Sequence, residues 1–389
     1  MKKIKQRLHQ SSVFLKYLYF VIYCRFKKIH NKDVWLISER GTEARDNGYA
    51  FYQYLLQNHP EINFKYVISK NSPDLKKFKD HSHLVYYGSK EHYILFLTAG
   101  YHLSTHIMGC SPEFRSFTKL SKHGLINPPA KRIFLNHGIE LSDTSYLNNL
   151  KLDLFVCATK PQYEHHLQSL DYPKNAIQYL GMPRYDYLKN NTLKNQIVVM
   201  PTWRSWLFYC KNTNEFKNTT YFKYWHRLLN NPKLHQLLEE NHLNLIFYPH
   251  YEIQPHLDAF SENHYHQNII IASLKDYDVQ TLLNESRLMV TDYSSVMFDF
   301  AYLKKPVIYY QFDYQDFITK HYGKGYFSFE QDGFGPTTKF PLNTIHKIEH
   351  YIQSDYQVEK NYTRNRNRFF TLPANGNCER VYQQIISML

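Results

Sequence analysis

The feature that most limits this chain is a repeated alternation of short apolar runs with helical segments. Residues 33–38 (DVWLIS), 64–69 (FKYVIS), 83–87 (HLVYY), 101–105 (YHLST), 132–136 (RIFLN) and 154–158 (LFVCA) have strand length and are rich in β-branched and aromatic residues. Between them, 49–58, 74–79 and 91–99 carry helical spacing. The polar, unpatterned stretch 190–195 (NNTLKN) breaks the series. A second series follows, with strands at 196–200, 243–248, 269–271, 288–291 and 306–310 and helical regions at 222–240 and 295–303. Strands separated by helices pair in parallel, because a parallel partner needs a crossover long enough to bring the chain back. The pattern predicts an α/β chain of two Rossmann-like units, 31–192 and 193–389, facing a cleft. The last helix is a candidate to pack back on the first unit. Such sheets bind ligands at the carboxyl ends of their strands, so residues that follow strands are the candidates for chemistry.

Residues 1–30 form a separate basic segment. The chain carries a net charge of +13, and this segment holds Lys2, Lys3, Lys5, Arg7, Lys16, Arg25, Lys27 and Lys28 with no acid. They flank the aromatic run 13–24 (VFLKYLYFVIYC). A membrane-spanning helix needs about 20 apolar residues; this run is shorter and Lys16 interrupts it. No small-residue cleavage site follows, as a secretory signal requires. Two readings stand: a basic aromatic helix on an anionic membrane surface, which is the expectation, and an amphipathic helix docked on the core. A nucleic-acid partner is not expected, because the charge gathers at the N-terminus and no recognised binding motif occurs. The aromatic content, with 35 Tyr and 26 Phe, excludes disorder. The five cysteines are isolated and lack Cys-x-x-Cys spacing, which points to a reducing compartment and away from zinc. His165-His166 and His264-x-His266 have no carboxylate or thiolate at ligand spacing and are expected at the surface, so no metal site is predicted. No phosphate-binding P-loop signature occurs.

The most specific string is 290–310 (VTDYSSVMFDFAYLKKPVIYY). A strand ends at Thr291, and a helix starts near Ser294 or Ser295. A serine-capped helix start is an anion site, and both hydroxyls can donate to phosphate oxygens. The string resembles the CDP-glycerol glycerophosphotransferase family of teichoic-acid polymerases, primases and capsule-polymer relatives. Further matches follow that family's order: Trp35 to Arg40 with Asp46-Asn-Gly48, Asn136-His-Gly138, Gly181-Met-Pro-Arg-Tyr-Asp186, Pro201-Thr-Trp-Arg204 and Pro249-His-Tyr251. The resemblance spans 33–385. It implies a GT-B-like fold and transfer of glycerol phosphate, or a related polyol phosphate, from a CDP-activated donor such as CDP-glycerol or CDP-ribitol. The acceptor it implies is a hydroxyl of a lipid-linked or polymeric cell-surface glycan at the cytoplasmic face of a bacterial membrane. CMP would be released and no cofactor required. The alternative is a GT-B glycosyltransferase using a nucleotide sugar.

Phosphoryl transfer needs reactants positioned and charge neutralised, and the acceptor hydroxyl must lose a proton. Imidazole titrates near neutrality. His137 follows a strand beside Gly138, which lets a substrate approach the backbone, and is the first choice for the base. His250 ends a strand in the second unit and could protonate or hydrogen-bond the departing CMP phosphate. Arg204 is expected to grip the pyrophosphate, with a surface ion pair as its rival role. Thr291 is expected at the donor phosphate, Asp292 to orient the turn or touch donor hydroxyls, and Asp299 to be either a buried structural acid or a ligand. Arg184 and Asp186 are expected to fix the turn before the linker. Arg364, Arg366 and Arg368 form a basic run suited to a polyanionic acceptor or to a solvated face. Where the family pattern continues Thr-Pro after His-Gly, this chain has Ile139-Glu140, a departure that bears on the acceptor more than on the base.

Overall fold

Two parallel sheets organise the chain. A computed structural model describes residues 2–388 apart from 143, 191, 192, 264, 322 and 324, and only the backbone of residues 2–11. The expected boundary at 192, His264 and the side chains of Lys2, Lys3, Lys5 and Arg7 lie outside the described residues. The first sheet contains β1 (Asn31–Ser38), β2 (Phe64–Ile68), β3 (Leu84–Tyr86), β4 (Ala99–Ser104), β5 (Lys131–Phe134), β6 (Leu154–Cys157) and β7 (Ile177–Tyr179), in the order β3-β2-β1-β4-β5-β6-β7. The second contains β8 (Gln196–Met200), β9 (Asn244–Phe247), β10 (Ile269–Ile271), β11 (Leu288–Thr291), β12 (Val307–Tyr310) and β13 (Thr337–Thr338), in the order β10-β9-β8-β11-β12-β13. Helices cover both faces, so β6, β8, β11 and β12 are buried at every position and read as unbroken apolar runs. The winding direction reverses between β1 and β4 in one sheet and between β8 and β11 in the other. Each reversal opens a crevice at the carboxyl ends of the strands.

The final helix, Asn377–Ile386, returns to the first sheet: Cys378, Val381, Tyr382 and Ile385 share a core with Trp35 and Phe51. Asp186 caps it by accepting the backbone N–H groups of Asn377 and Cys378 at 3.0 and 2.8 Å. Two expected elements take different forms. The helical region 222–240 is split into Thr220–Leu229 and Pro232–Glu240, because Asn231 caps the second helix and Pro232 cannot continue the first. The turn near 74–79 is a short 3-10 helix, Pro73–Lys77, capped by Ser72. His166, expected at the surface, is fully buried on the Lys160–Ser169 helix, with Nε2 3.4 Å from Glu140.

The basic segment is one helix, α1 (Lys2–Phe26). It precedes α2 (Asn47–Asn58), α3 (Lys90–Thr98) and α4 (Phe114–Lys122), and α5 (Lys160–Ser169) follows them. Val13, Tyr17, Phe20 and Cys24 recur at helical spacing and are buried against α3 and α4. Tyr17 packs edge-on against Tyr93, with centroids 5.0 Å apart, and donates to the Glu113 carbonyl at 3.2 Å. A second stripe with the same spacing, Leu15, Tyr19, Ile22 and Phe26, is 59–80% exposed. Both readings of the segment therefore have a face on the same helix: one stripe is docked, and the other is open. No described helix is long and apolar enough to cross a membrane.

The two stripes separate by mutation. Tyr17→Ala is expected to lower stability by about 3 kcal/mol or more through cavity formation. Ile22→Ser is expected to change it by less than about 0.5 kcal/mol. Denaturant unfolding followed by tryptophan fluorescence measures both.

Candidate active site

The strand ends of the two sheets face one cavity of about 1290 Å³. From the first sheet come Arg40 after β1, His106 after β4 and His137 after β5; from the second come His250 after β9 and Ser294 and Ser295 after β11.

The His137 loop is built by Asn136. This residue is fully buried and has a left-handed backbone, φ 61°, which asparagine tolerates better than most residues. Its Oδ1 accepts the N–H groups of His137 and Gly138 at 2.7 and 3.3 Å, turning the chain sharply out of the sheet. His137 is left exposed to the cleft. Its ring lies against His106, with centroids 4.7 Å apart and planes tilted by 34°. Burial, and then the neighbouring His137, hold His106 well below the usual histidine range. A Cβ added at Gly138 would stand 2.7 Å from Ser295 Oγ, so glycine is what lets the base loop touch the serine turn of the other sheet.

Across the cavity, His250 is half-buried between Trp203 and Tyr251. Burial and the nearby Arg40 push it down to about 3, so it is neutral at physiological pH. Its Nδ1 accepts the Glu252 N–H at 3.3 Å, which leaves the ring hydrogen on Nε2. The arrangement suits a neutral hydrogen-bond donor. The Arg40 guanidinium lies 4.1 Å from the Tyr251 ring centroid and joins the two halves at the cleft edge.

Ser294 and Ser295 are half-buried and line the cavity before the Val296–Tyr302 helix. Ser294 Oγ accepts the Val296 N–H at 3.4 Å, while Ser295 makes no side-chain cap and meets Gly138 instead. Thr291, expected at the donor phosphate, and Asp292 are instead fully buried and line no part of the cavity. Thr291 Oγ1 donates to the Met200 carbonyl at 2.6 Å, stitching β11 to β8. Asp292 Oδ1 accepts the N–H groups of Thr202 and Tyr293 at 2.8 and 2.7 Å, locking the loops after β8 and β11 together.

Arg204 stands neither on the cavity wall, as a pyrophosphate grip requires, nor in the surface ion pair that was its rival role. Arg204 has no exposed surface; its Nε and Nη2 donate to Asp313 at 2.8 and 3.0 Å, and Nη1 donates to the Thr202 carbonyl at 2.8 Å. Its Nη2 is also 2.9 Å from Asp292 Oδ2, an ion contact without hydrogen-bond alignment. Tyr293 and Phe317 close over the guanidinium. Asp299 is likewise buried and takes a two-toothed grip from Arg184, at 2.6 and 2.9 Å. Arg364, Arg366 and Arg368 stand on the Lys360–Phe369 helix and line no part of the cavity. Arg368 pairs with Asp332, and Arg366 Nε donates to the neighbouring Asn367 at 3.1 Å.

Sequence reasoning gave no individual role to His106, Arg40 or Glu39. His106 was findable, since it follows β4 as His137 follows β5. Glu39 lies 1% exposed at the end of β1 and accepts the N–H groups of Arg45, Asp46 and Tyr49, shaping the loop that carries Arg40. Burial, with Asp46 adding to it, raises its carboxyl to about 7. No group of three or more His, Cys, Asp and Glu suited to a metal occurs among the described residues.

Two parallel sheets with strand ends across one cleft define a GT-B-like α/β protein. Residues 17–387 match the family described as CDP-Glycerol:Poly(glycerophosphate) glycerophosphotransferase. The chain belongs to this family of transferases. The minor teichoic acid biosynthesis protein GgaB of Bacillus subtilis (strain 168) is 30% identical over 400 residues, covering 99% of this chain and 43% of that protein. The teichoic acid poly(glycerol phosphate) polymerase of the same strain is 24% identical over 385 residues, covering 92% of this chain and 49% of its own. The chain thus spans about half the length of these two relatives. Among solved structures, the wall teichoic acid polymerase TagF soaked with CDPG superposes with TM-score 0.69 at 19% identity, covering 99% of this chain and 97% of that one.

Because Arg204 neutralises two buried carboxylates, Arg204→Met is expected to cost about 3–5 kcal/mol by stranding Asp292 and Asp313. Denaturant unfolding measures it. A loss below about 1 kcal/mol would mean the cage is open to water.

Proposed function

We propose that the chain transfers glycerol phosphate, or a related polyol phosphate, from a CDP-activated donor to a hydroxyl of a lipid-linked or polymeric cell-surface glycan. The observation that carries this reading is the meeting of His137, His250, Ser294 and Ser295 in one cleft between the two sheets. Family membership and the relatives' names, which include both glycerol-phosphate and ribitol-phosphate polymerases, support it. So does the fold shared with TagF, which was soaked with CDPG.

In this reading the nucleotide and its two phosphates occupy the second half, with the phosphates against Ser294 and Ser295. His137 removes the acceptor hydroxyl proton as the oxygen attacks the polyol-bearing phosphorus. The bond from that phosphorus to the bridging oxygen breaks, and CMP leaves with the electron pair. His250, neutral with its hydrogen on Nε2, donates to a phosphate oxygen as negative charge gathers on the leaving group. The base must be unprotonated to act, and His137 is open to the cleft where an acceptor hydroxyl would reach it. Arg204, Asp292 and Asp299 serve behind the surface, holding the loops that present these groups.

The expected result of incubating the chain with CDP-glycerol, CDP-ribitol and lipid-linked acceptors is CMP release with growth of the acceptor. His137→Ala is expected to slow it about 10²–10⁴-fold, the usual contribution of general base catalysis. Absence of CMP release with every CDP-polyol, together with thermal stabilisation by UDP- or GDP-sugars alone, would point to glycosyl transfer instead.

The open stripe of α1, flanked by Lys16, Arg25, Lys27 and Lys28, supports peripheral attachment to the anionic cytoplasmic face of a membrane, where a lipid-linked acceptor would lie. Co-sedimentation with phosphatidylglycerol vesicles is expected, weakening in 0.5 M salt. The combined change Leu15→Ser, Tyr19→Ser and Ile22→Ser is expected to abolish it while leaving the fold intact. Binding equal to that of the parent in that variant would remove α1 from the membrane role.

A further inference from the structure

Among the side chains that join the two halves of the cleft, one is a buried guanidinium with partners in both. Arg184 stands on the 3-10 helix Pro183–Tyr187, after the last strand of the first sheet, and its side chain is 8% exposed. Its Nε and Nη2 grip both oxygens of Asp299 on the helix behind Ser294 and Ser295, at 2.6 and 2.9 Å. Its Nη1 donates to the His137 carbonyl at 3.1 Å and to Asp46 Oδ1 at 2.7 Å. Its backbone N–H donates to Asn47 Oδ1 at 3.0 Å, and Asn47 Nδ2 donates to the Asn136 carbonyl at 2.7 Å. The chain of contacts thus runs from the serine-turn helix of one half to the backbone on both sides of the His137 peptide in the other.

We propose that Arg184 is a positioning residue that acts through His137, setting the base loop at a fixed place relative to the helix that follows the serine turn. This inference rests on the reading of His137 as the base. Only a planar guanidinium can serve all three acceptors at once: two parallel N–H groups take Asp299 while the remaining nitrogen reaches a carbonyl and a second carboxylate. An ammonium is a point donor and cannot span them. The geometry matters because acceptor oxygen and donor phosphorus come from opposite halves, and a misplacement of about 1 Å can cost 10²-fold in rate. The contact of Gly138 with Ser295 shows how little slack there is.

The test is a double-mutant cycle of Arg184→Lys with His137→Ala. CMP release is read from CDP-glycerol with a lipid-linked glycerol-phosphate acceptor, and CDP-glycerol affinity is read by calorimetry. Arg184→Lys alone is expected to lower kcat 10–100-fold with CDP-glycerol affinity within threefold of the parent. In the His137→Ala background, residual CMP release followed over hours is expected to fall by less than threefold more, because the group being positioned is gone. General loosening of the fold would instead lower both backgrounds by the same factor, and that result overturns the positioning role while leaving His137 as base. Parental kcat in Arg184→Lys overturns it too. If His137→Ala keeps parental kcat, the base assignment falls and the positioning role falls with it. Should Arg184→Lys fail to fold, Asp299→Asn enters the same cycle with the same expectations, since it weakens the grip from the other end.

Discussion

Everything at the cleft depends on two guanidinium groups held out of water. A charge taken into a protein interior is tolerated only where opposite charge and hydrogen bonds meet it. Arg184 is met by Asp299 and Asp46, and Arg204 by Asp313 and Asp292. Each cage ties segments far apart in the chain. The Arg204 cage fastens the loops after β8 and β11 and the residues after β12 within the second half. The Arg184 cage fastens the first half to the second.

Within this rigid frame, several of the groups that face the cavity are neutral. His250 and His106 are held neutral by burial and by neighbouring positive or titratable groups. Ser294 and Ser295 offer hydroxyls. The Arg184 and Arg204 cages work largely behind that surface, positioning backbone, while His137, His250, Ser294, Ser295 and the Arg40 guanidinium line the cavity. That division fits a reaction in which negative charge moves from one oxygen to another and the surroundings have little to rearrange.

The parts of this arrangement that were legible in the sequence share one property: their cause is local. The strands were legible because buried parallel strands are unbroken apolar runs, and His137, His250 and the serine turn because each follows such a run. Arg204 was misread because its partner Asp313 lies 109 residues away, and nothing near Arg204 in sequence marks the site as internal. His166 was misread because Glu140, which meets it, sits across a strand and a loop. The region 222–240 was read as one helix because its apolar spacing continues through Asn231 and Pro232, where capping chemistry outweighs periodicity.

The amino-acid sequence by itself determined the alternating strands and helices, the pairing of two such series, the motif residues at strand ends and the family they resemble. All of these depend on spacing and side-chain type along short stretches. Only the tertiary structure decided which of the polar motif residues face the cavity and which face one another. It also decided that α1 buries one apolar stripe and exposes a second. Those outcomes turn on burial and on charge pairs across large sequence separations, and both exist only once the two sheets have closed on the same cleft.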